Sequence, residues 1–282
     1  MKKDFWIRFA SSTTLVALAL LVVVIGDLLL AAVLLLVSLV AYKELLKSFK
    51  LTDTVNKRPA AVEALGTLAI DIYYLVLALS GAAGAANGML LFAMVLLALI
   101  AYLTYYVFAF PKCGITQIAE AFFCFLYAPV MLSCIYLTRH LGEYGPYVVW
   151  LIFLSSWVND AFAYCVGISI GKRKLAPTLS PKKTWEGAIG GVAGAMLCTI
   201  LYCEIFVRWL APELDVLLWF TIISGVGAVI SQVGDLAASA IKRNHDIKDF
   251  GSLIPGHGGI VDRFDSVIFI APVIYVLAVV LL

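Results

Sequence analysis

Residues 88–110 read GMLLFAMVLLALIAYLTYYVFAF, an apolar run without a charged side chain. A helix of about 20 such residues crosses the hydrocarbon core of a bilayer, and runs this long are not the strands of a barrel. The whole chain is 63% hydrophobic and only 13% charged, which is too little polar surface for a soluble domain. Similar runs recur at 10–25, 28–46, 61–80, 88–110, 116–138, 146–169, 187–209, 216–238 and 266–282. We therefore predict an all-α, polytopic integral membrane helical bundle with about nine transmembrane helices.

The positive charges predict the orientation of this bundle. With a cytosolic N-terminus and alternating helices, 20 Lys and Arg residues all fall on the cytosolic side except Arg139 and Arg208. Cytosolic segments of membrane proteins carry such an excess of Lys and Arg. These charges predict a cytosolic N-terminus. The predicted location is a bacterial cytoplasmic (inner) membrane, with the functional site facing the cytosol.

The chain divides into two predicted regions. Residues 1–145 are hydrophobic helices with short connections, whereas 146–282 form a catalytic transmembrane region with longer cytosolic loops at 170–186 and 239–265. Gly187 and Gly191, like Gly190 and Gly194, are spaced as small residues that let helices approach closely. The six cysteines form no CxxC pair and are interpreted as apolar packing.

Two polar patches lie near predicted helix ends. The first is NDAFAY at 159–164, where Asp160 needs a partner or a water-filled cavity because a carboxylate is costly inside a membrane. The alternative is a structural hydrogen bond shared with Asn159. The second is SPKKTWEG at 180–187, where Thr184 or Ser180 can cap a helix beside Lys182 and Lys183. That combination suits a phosphate, and the alternative is a basic loop on lipid headgroups.

The third patch surrounds SAIKRNHDIKDFGSLIPGHGGIVDRFD at 239–265. Asp262 and Asp265 share one helical face, and Asp235 precedes the loop. Three converging carboxylates would repel one another unless cations neutralise them, and Mg²⁺ prefers such oxygen ligands. The basic residues between them, among them Lys242 and Arg243, suit anions, while Gly256, Gly258 and Gly259 would let backbone amides approach a phosphate.

These motifs resemble the signature of the phosphatidate cytidylyltransferases (CDP-diacylglycerol synthases). The likeness is strongest over 239–265 and includes Gly234-Asp235, SPKKTWEG and NDAFAY in the same order. The first half matches only as a bundle of hydrophobic helices. Ala237-Ala238 departs from relatives that carry bulkier or acidic residues there, which weakens any role for a carboxylate at that point.

The resemblance implies a membrane nucleotidyltransferase of phospholipid biosynthesis that converts CTP and phosphatidic acid into CDP-diacylglycerol and pyrophosphate. It implies Mg²⁺ held by Asp235, Asp262 and Asp265, and K⁺ as a candidate second cation. Implied partners are CTP, phosphatidic acid and membrane lipids, not nucleic acid, and a homodimer stays open. The residues assigned to catalysis are Asp235, Asp262, Asp265, Lys242, Arg243, His257 and Arg263. Those assigned to nucleotide binding are Asp160, Asn159, Ser180, Lys182, Lys183, Thr184 and Lys248.

Two alternative classes of function stay open, a related enzyme and a transporter. A CTP-dependent polyprenol or lipid kinase, or a CDP-archaeol synthase-like enzyme, would carry similar groups. A transporter would place its polar groups near the bilayer midplane, where Asp71 and Glu120 are the candidates, rather than on the cytosolic side. Each of these two carboxylates either lines the same cavity or makes a helix–helix hydrogen bond.

Overall fold

The structure is a computed structural model that describes residues 17–51, 59–80, 85–253 and 258–282, with only the backbone at 59, 60, 80 and 85–87. Part of the predicted span 10–25 and the candidate residue His257 therefore lie outside the described residues. Residues 17–25 of that span are helical. Their helix ends at Gly26, whose left-handed φ of 71° suits glycine and lets the next helix begin at once.

Within those ranges, eight helices are long and apolar enough to cross a membrane. They are α1 (Asp27–Ser48), α2 (Pro59–Ser80), α3 (Ala85–Ala109), α4 (Ile115–Arg139), α5 (Gly145–Ile170), α6 (Trp185–Leu210), α7 (Leu217–Asn244) and α8 (Val261–Leu281). Three of them contain one π-helical turn, at Leu126–Val130, Leu154–Val158 and Cys203–Val207. The prediction of a polytopic helical membrane protein is confirmed.

The chain folds into two compact units. The first comprises Met1–Tyr136 and Ile247–Arg263, and the second comprises Leu137–Asp246 and Phe264–Leu282. The predicted functional division into 1–145 and 146–282 stays a prediction.

Buried hydroxyl groups join the helices of the first unit. The Tyr42 and Tyr102 hydroxyls lie 2.9 Å apart between α1 and α3, and the Ser38 and Tyr74 hydroxyls lie 2.8 Å apart between α1 and α2. Tyr74 also donates to the carbonyl of Pro129 at 3.0 Å, within the π-helical turn of α4. Such interhelical hydrogen bonds hold membrane helices together where the hydrophobic effect between them is weak.

In the second unit, glycines let α6 lie directly against α5. A Cβ atom at Gly194 would collide with the ring of Phe162, and one at Gly190 would collide with Val166. At Gly191, a Cβ would lie 2.6 Å from the side-chain oxygen of Asn159. The close helix approach predicted from the glycine spacing is therefore confirmed.

Both predicted loops differ from expectation in detail. The loop predicted at 170–186 contains a two-stranded antiparallel hairpin, β1 (Lys174–Ala176) and β2 (Ser180–Thr184), which the all-α prediction missed. The loop predicted at 239–265 is shorter, because α7 continues to Asn244 and α8 begins at Val261. Lys242 and Arg243 thus belong to the last turn of α7, where positive charge is favourable at a helix C-terminus.

Candidate active site

The hairpin of the second unit is fixed to the start of α6. The Thr184 hydroxyl caps the helix by accepting from the Gly187 amide at 3.2 Å. The Glu186 carboxylate accepts from the amides of Lys172 at 3.0 Å and Arg173 at 3.2 Å, which ties the beginning of the hairpin to the helix. The hydroxyl of Thr184, predicted to bind nucleotide, therefore acts here as a helix cap.

This anchored hairpin presents Lys183 to α7. The Lys183 ammonium forms an ion pair with the carboxylate of Asp235, and the two side chains are only 26% and 28% exposed. An ion pair of this exposure is screened less by solvent than a surface pair. Lys182 precedes it on β2 and is exposed.

A buried amide network joins three helices beside the ion pair. Gln232, one turn before Asp235 on α7, donates to the Asn159 side-chain oxygen at 2.8 Å and to the Ala188 carbonyl at 2.9 Å. Asn159 is fully buried, and its amide nitrogen lies 3.3 Å from the Asp160 carboxylate. Asn159 thus makes the interhelical hydrogen bond that was the structural alternative for Asp160 and Asn159, and Asp160 joins the network through the Asn159 amide.

A fourth helix of the same unit adds a third carboxylate. Asp265, near the start of α8, interacts electrostatically with Asp235, Lys242 and Asp160. One of its oxygens accepts from the Ser266 amide at 2.8 Å. Asp160 of α5, Asp235 of α7 and Asp265 of α8 therefore interact electrostatically with one another, and Asp265 also interacts with Lys242.

A cavity of about 530 Å³ lies among these groups. Its charged and amide side chains come from α5, the hairpin and α7: Asp160, Lys174, Lys182, Lys183, Gln232 and Asp235. Its apolar wall comes mainly from α5 and the hairpin: Ala163, Tyr164, Ile168 and Leu175. One cavity therefore offers both cationic groups and an apolar surface at one end of the helices that line it.

Three further described candidates lie in the first unit. Asp262 accepts through one carboxylate oxygen from the Phe250 amide at 2.8 Å and from the Gly259 amide at 3.0 Å. Lys248 and Arg263 are exposed in the same unit. The three-aspartate metal site stays a prediction.

The carboxylates of the second unit offer oxygen donors, which suit a hard divalent cation. Carboxylate oxygens of Asp160, Asp235 and Asp265 are the ligands that Mg²⁺ prefers. Among the described residues, however, no group of three or more His, Cys, Asp or Glu side chains is close enough to hold a metal ion. Mg²⁺ usually binds through one or two carboxylates, waters and substrate phosphate, so two carboxylates suffice for it.

Three residues that take part in these arrangements were not among the sequence candidates. Glu186 lies within the SPKKTWEG motif at the start of a helix, where a carboxylate is favourable, and this signal could have identified it. Gln232 lies three residues before Asp235 on one helical face, which is a weaker signal. Glu44 of α1 lies beside Lys43 and Lys47 at the polar end of an apolar run, where a charged side chain is ordinary, so no local signal identified it.

The fold and the site define an integral membrane protein with a charged cavity at the ends of its helices. A model of the cytidylyltransferase family matches residues 6–281. This chain belongs to the cytidylyltransferase family, which confirms the resemblance found in the motifs.

Several relatives of this chain are named phosphatidate cytidylyltransferase. The chain is 38% identical over 189 residues to the phosphatidate cytidylyltransferase of Bacillus subtilis (strain 168), covering 66% of each chain. It is 35% identical over 156 residues to that of Thermotoga maritima, covering 53% of this chain and 58% of the relative. For Haemophilus influenzae the identity is 38% over 133 residues, covering 47% and 46%. The matched stretches thus span between about half and two thirds of the length of these relatives.

Proposed function

We propose that this protein is a phosphatidate cytidylyltransferase, an enzyme that transfers the cytidylyl group of CTP to phosphatidic acid. The observation that carries the proposal is the Lys183–Asp235 ion pair at the wall of a cavity that also holds Asp160 and Lys182. Membership of the cytidylyltransferase family and the names of the relatives support the same activity.

The reaction needs little covalent help from the protein. An oxygen of the lipid phosphate attacks the α-phosphorus of CTP, the new P–O bond forms, and the bond to the β-phosphate oxygen breaks. Pyrophosphate leaves with the bonding electron pair, and CDP-diacylglycerol remains. The attacking oxygen is already anionic, so no strong base is required, and catalysis comes from positioning and charge neutralisation.

The chain's own cations would neutralise the two anionic reactants. Lys182 and Lys183 stand at the cavity wall on the anchored hairpin, and a triphosphate there would compete with Asp235 for the Lys183 ammonium. Lys242, Arg243, Lys248, His257 and Arg263 stay predicted phosphate contacts. Ser180 begins the same strand as the two lysines and stays a predicted nucleotide contact.

Asp235 and Asp265 are the residues that we expect to hold Mg²⁺, with Asp160 beside them and Asp262 as the third predicted ligand. When bound, this ion would offset the negative charge of the reacting phosphates. The carboxylates act on one another electrostatically, so a cation between them would relieve their repulsion. K⁺ as a second cation stays a prediction.

The apolar wall of the cavity suits a substrate that comes from the bilayer. Tyr164 and Ile168 line the cavity and are 70% and 68% exposed, so acyl chains could lie against them while the lipid phosphate reaches the lysines. The distribution of Lys and Arg supports a site on the cytosolic side, where CTP is available. The bacterial relatives support a bacterial membrane.

The test uses the purified protein with phosphatidic acid, Mg²⁺ and CTP labelled at the α-phosphorus. We expect label in the lipid fraction and an equal amount of pyrophosphate. With CTP labelled at the γ-phosphorus, the lipid should stay unlabelled. Label from the γ-phosphate in the lipid would instead identify a CTP-dependent lipid kinase and would overturn the proposal.

A further inference from the structure

We propose that Glu44 is a positioning residue. It holds the loop between α7 and α8, at residues 247–253 and 258–260 of the first unit, and the start of α8 in the conformation that catalysis requires. The inference rests on the proposed function, because that loop leads directly into Asp262 and Arg263. Glu44 lies on α1, in the half of the chain to which the motifs assigned no role.

The Glu44 carboxylate accepts hydrogen bonds from two backbone amides. One carboxylate oxygen accepts from the Ile260 amide at 3.0 Å, and the other accepts from the Val261 amide at 3.0 Å. These N–H groups open α8 and have no carbonyl partner within the helix. A carboxylate at this place satisfies two such donors and meets the positive end of the helix dipole.

The loop itself is shaped to reach this carboxylate. A Cβ atom at Gly251 or at Gly259 would collide with the Glu44 carboxyl oxygens, so these two positions need glycine for the approach. The Ser48 hydroxyl, one turn further along α1, lies 3.3 Å from the Phe250 carbonyl oxygen. The end of α1 thus contacts the loop on both sides of the undescribed residues 254–257. Gly259, predicted to approach a phosphate, here approaches a protein carboxylate.

Asp262 secures the same loop from the other side. Its carboxylate accepts from the amides of Phe250 and Gly259, and Gly258 between the two anchors has a left-handed φ of 83°. The charges of Glu44 and Asp262 act on each other, so the two like charges are held near one another by four backbone donors. Loss of Glu44 would release Ile260 and Val261 and shift the loop that precedes Asp262.

The test compares Glu44→Ala and Glu44→Gln with a matched control, Glu63→Gln. Glu63 is a carboxylate of the same unit that pairs with Lys43 at 3.6 Å. Hydrogen exchange of the peptide that contains Ile260 and Val261 should become at least tenfold faster in Glu44→Ala. It should rise less in Glu44→Gln, which keeps one acceptor oxygen, and stay unchanged in the control.

The kinetic readout separates positioning from stability. In the folded fraction of Glu44→Ala, we expect kcat for CDP-lipid formation to fall at least tenfold while KM for CTP changes less than threefold. The kcat of Glu44→Gln should lie between those of Glu44→Ala and wild type. If Glu44→Ala does not fold, Glu44→Gln replaces it in the test. Unchanged exchange, or faster exchange with kcat within twofold of wild type, would overturn the proposal. Wild-type protein without CDP-lipid formation would overturn the proposed function instead, and exchange would still decide whether Glu44 anchors the loop.

Discussion

The carboxylates beside the loop of the first unit and those beside the cavity of the second unit are used in different ways. In the first unit, Glu44 and Asp262 accept hydrogen bonds from four backbone amides and thereby hold chain segments in place. In the second unit, Asp235 pairs with a lysine side chain, and Asp160 lines a cavity. A side-chain cation can move aside for a substrate, whereas a helix amide cannot. The comparison therefore separates carboxylates held by backbone amides, among them the predicted Mg²⁺ ligand Asp262, from Asp235, whose lysine partner a substrate can displace.

The largest loss of turnover is expected when the carboxylates of Asp235 and Asp265 in the second unit are replaced. Asp235→Asn removes the charge that pairs with Lys183 and is expected to help hold Mg²⁺, so turnover should fall about 10³-fold. Asp265→Asn should behave similarly. Labelled-lipid formation by purified, correctly folded protein measures both variants. Asp215→Asn, at the exposed start of the α7 region, is the control and should retain wild-type turnover. Near-normal turnover in Asp235→Asn would contradict the distinction between carboxylates that hold the backbone and carboxylates that take part in the reaction.

The next effect concerns the cation of the ion pair. Lys183→Ala should lower kcat/KM for CTP about 10²-fold, because the cavity loses a group that neutralises phosphate charge. Lys112→Ala, an exposed lysine of the first unit, is the control. Combining Lys183→Ala with Asp235→Asn should cost less than the sum of the two effects, because the residues interact directly. Strict additivity would contradict a shared role.

A smaller effect is expected from the amide network. Gln232→Leu leaves the buried Asn159 oxygen and the Ala188 carbonyl without this donor, at a cost of about 1–3 kcal/mol. The position of Asp160 should loosen, so turnover should fall about tenfold while the protein still folds. Steady-state kinetics at saturating CTP and lipid measures the loss. Full activity would mean that the network serves stability alone.

The smallest effect is expected at an exposed ion pair of the second unit away from the cavity. Arg208 and Glu204 pair one turn apart on α6, and Arg208 is 69% exposed. Such pairs contribute about 0–1 kcal/mol, so Arg208→Gln should keep turnover within about twofold of wild type. A thermal unfolding scan in detergent should show a correspondingly small shift. A large loss of activity would place an unrecognised functional surface at that end of α6.

The helices were predictable because their signal is continuous along the chain. The run 88–110 becomes a helix that ends at Ala109, and 116–138 becomes Ile115–Arg139, since only a helix satisfies its backbone in lipid. The prediction placed the end of α7 too early, at 238. Residues 239–244 are polar enough to leave the membrane run but contain good helix formers such as Ala240, Lys242 and Arg243.

The short hairpin could not be predicted in the same way. Its strands cover only three and five residues and are held by the Glu186 carboxylate, a contact that no local periodicity indicates. Most of the charged residues of the cavity were named in advance, because charges are rare in this chain and are costly in a membrane.

The sequence by itself determined a polytopic helical membrane protein, the family to which it belongs and most of the charged residues of its cavity. The membrane fold and the charged residues follow from the chemistry of each segment taken alone: length, apolarity and the cost of charge in lipid. The family follows from the resemblance of the motifs. Only the tertiary structure decided what each carboxylate binds, pairing Asp235 with Lys183 and Glu44 with the amides of Ile260 and Val261. Such partners are as many as 217 residues apart, and packing alone brings them within hydrogen-bonding distance.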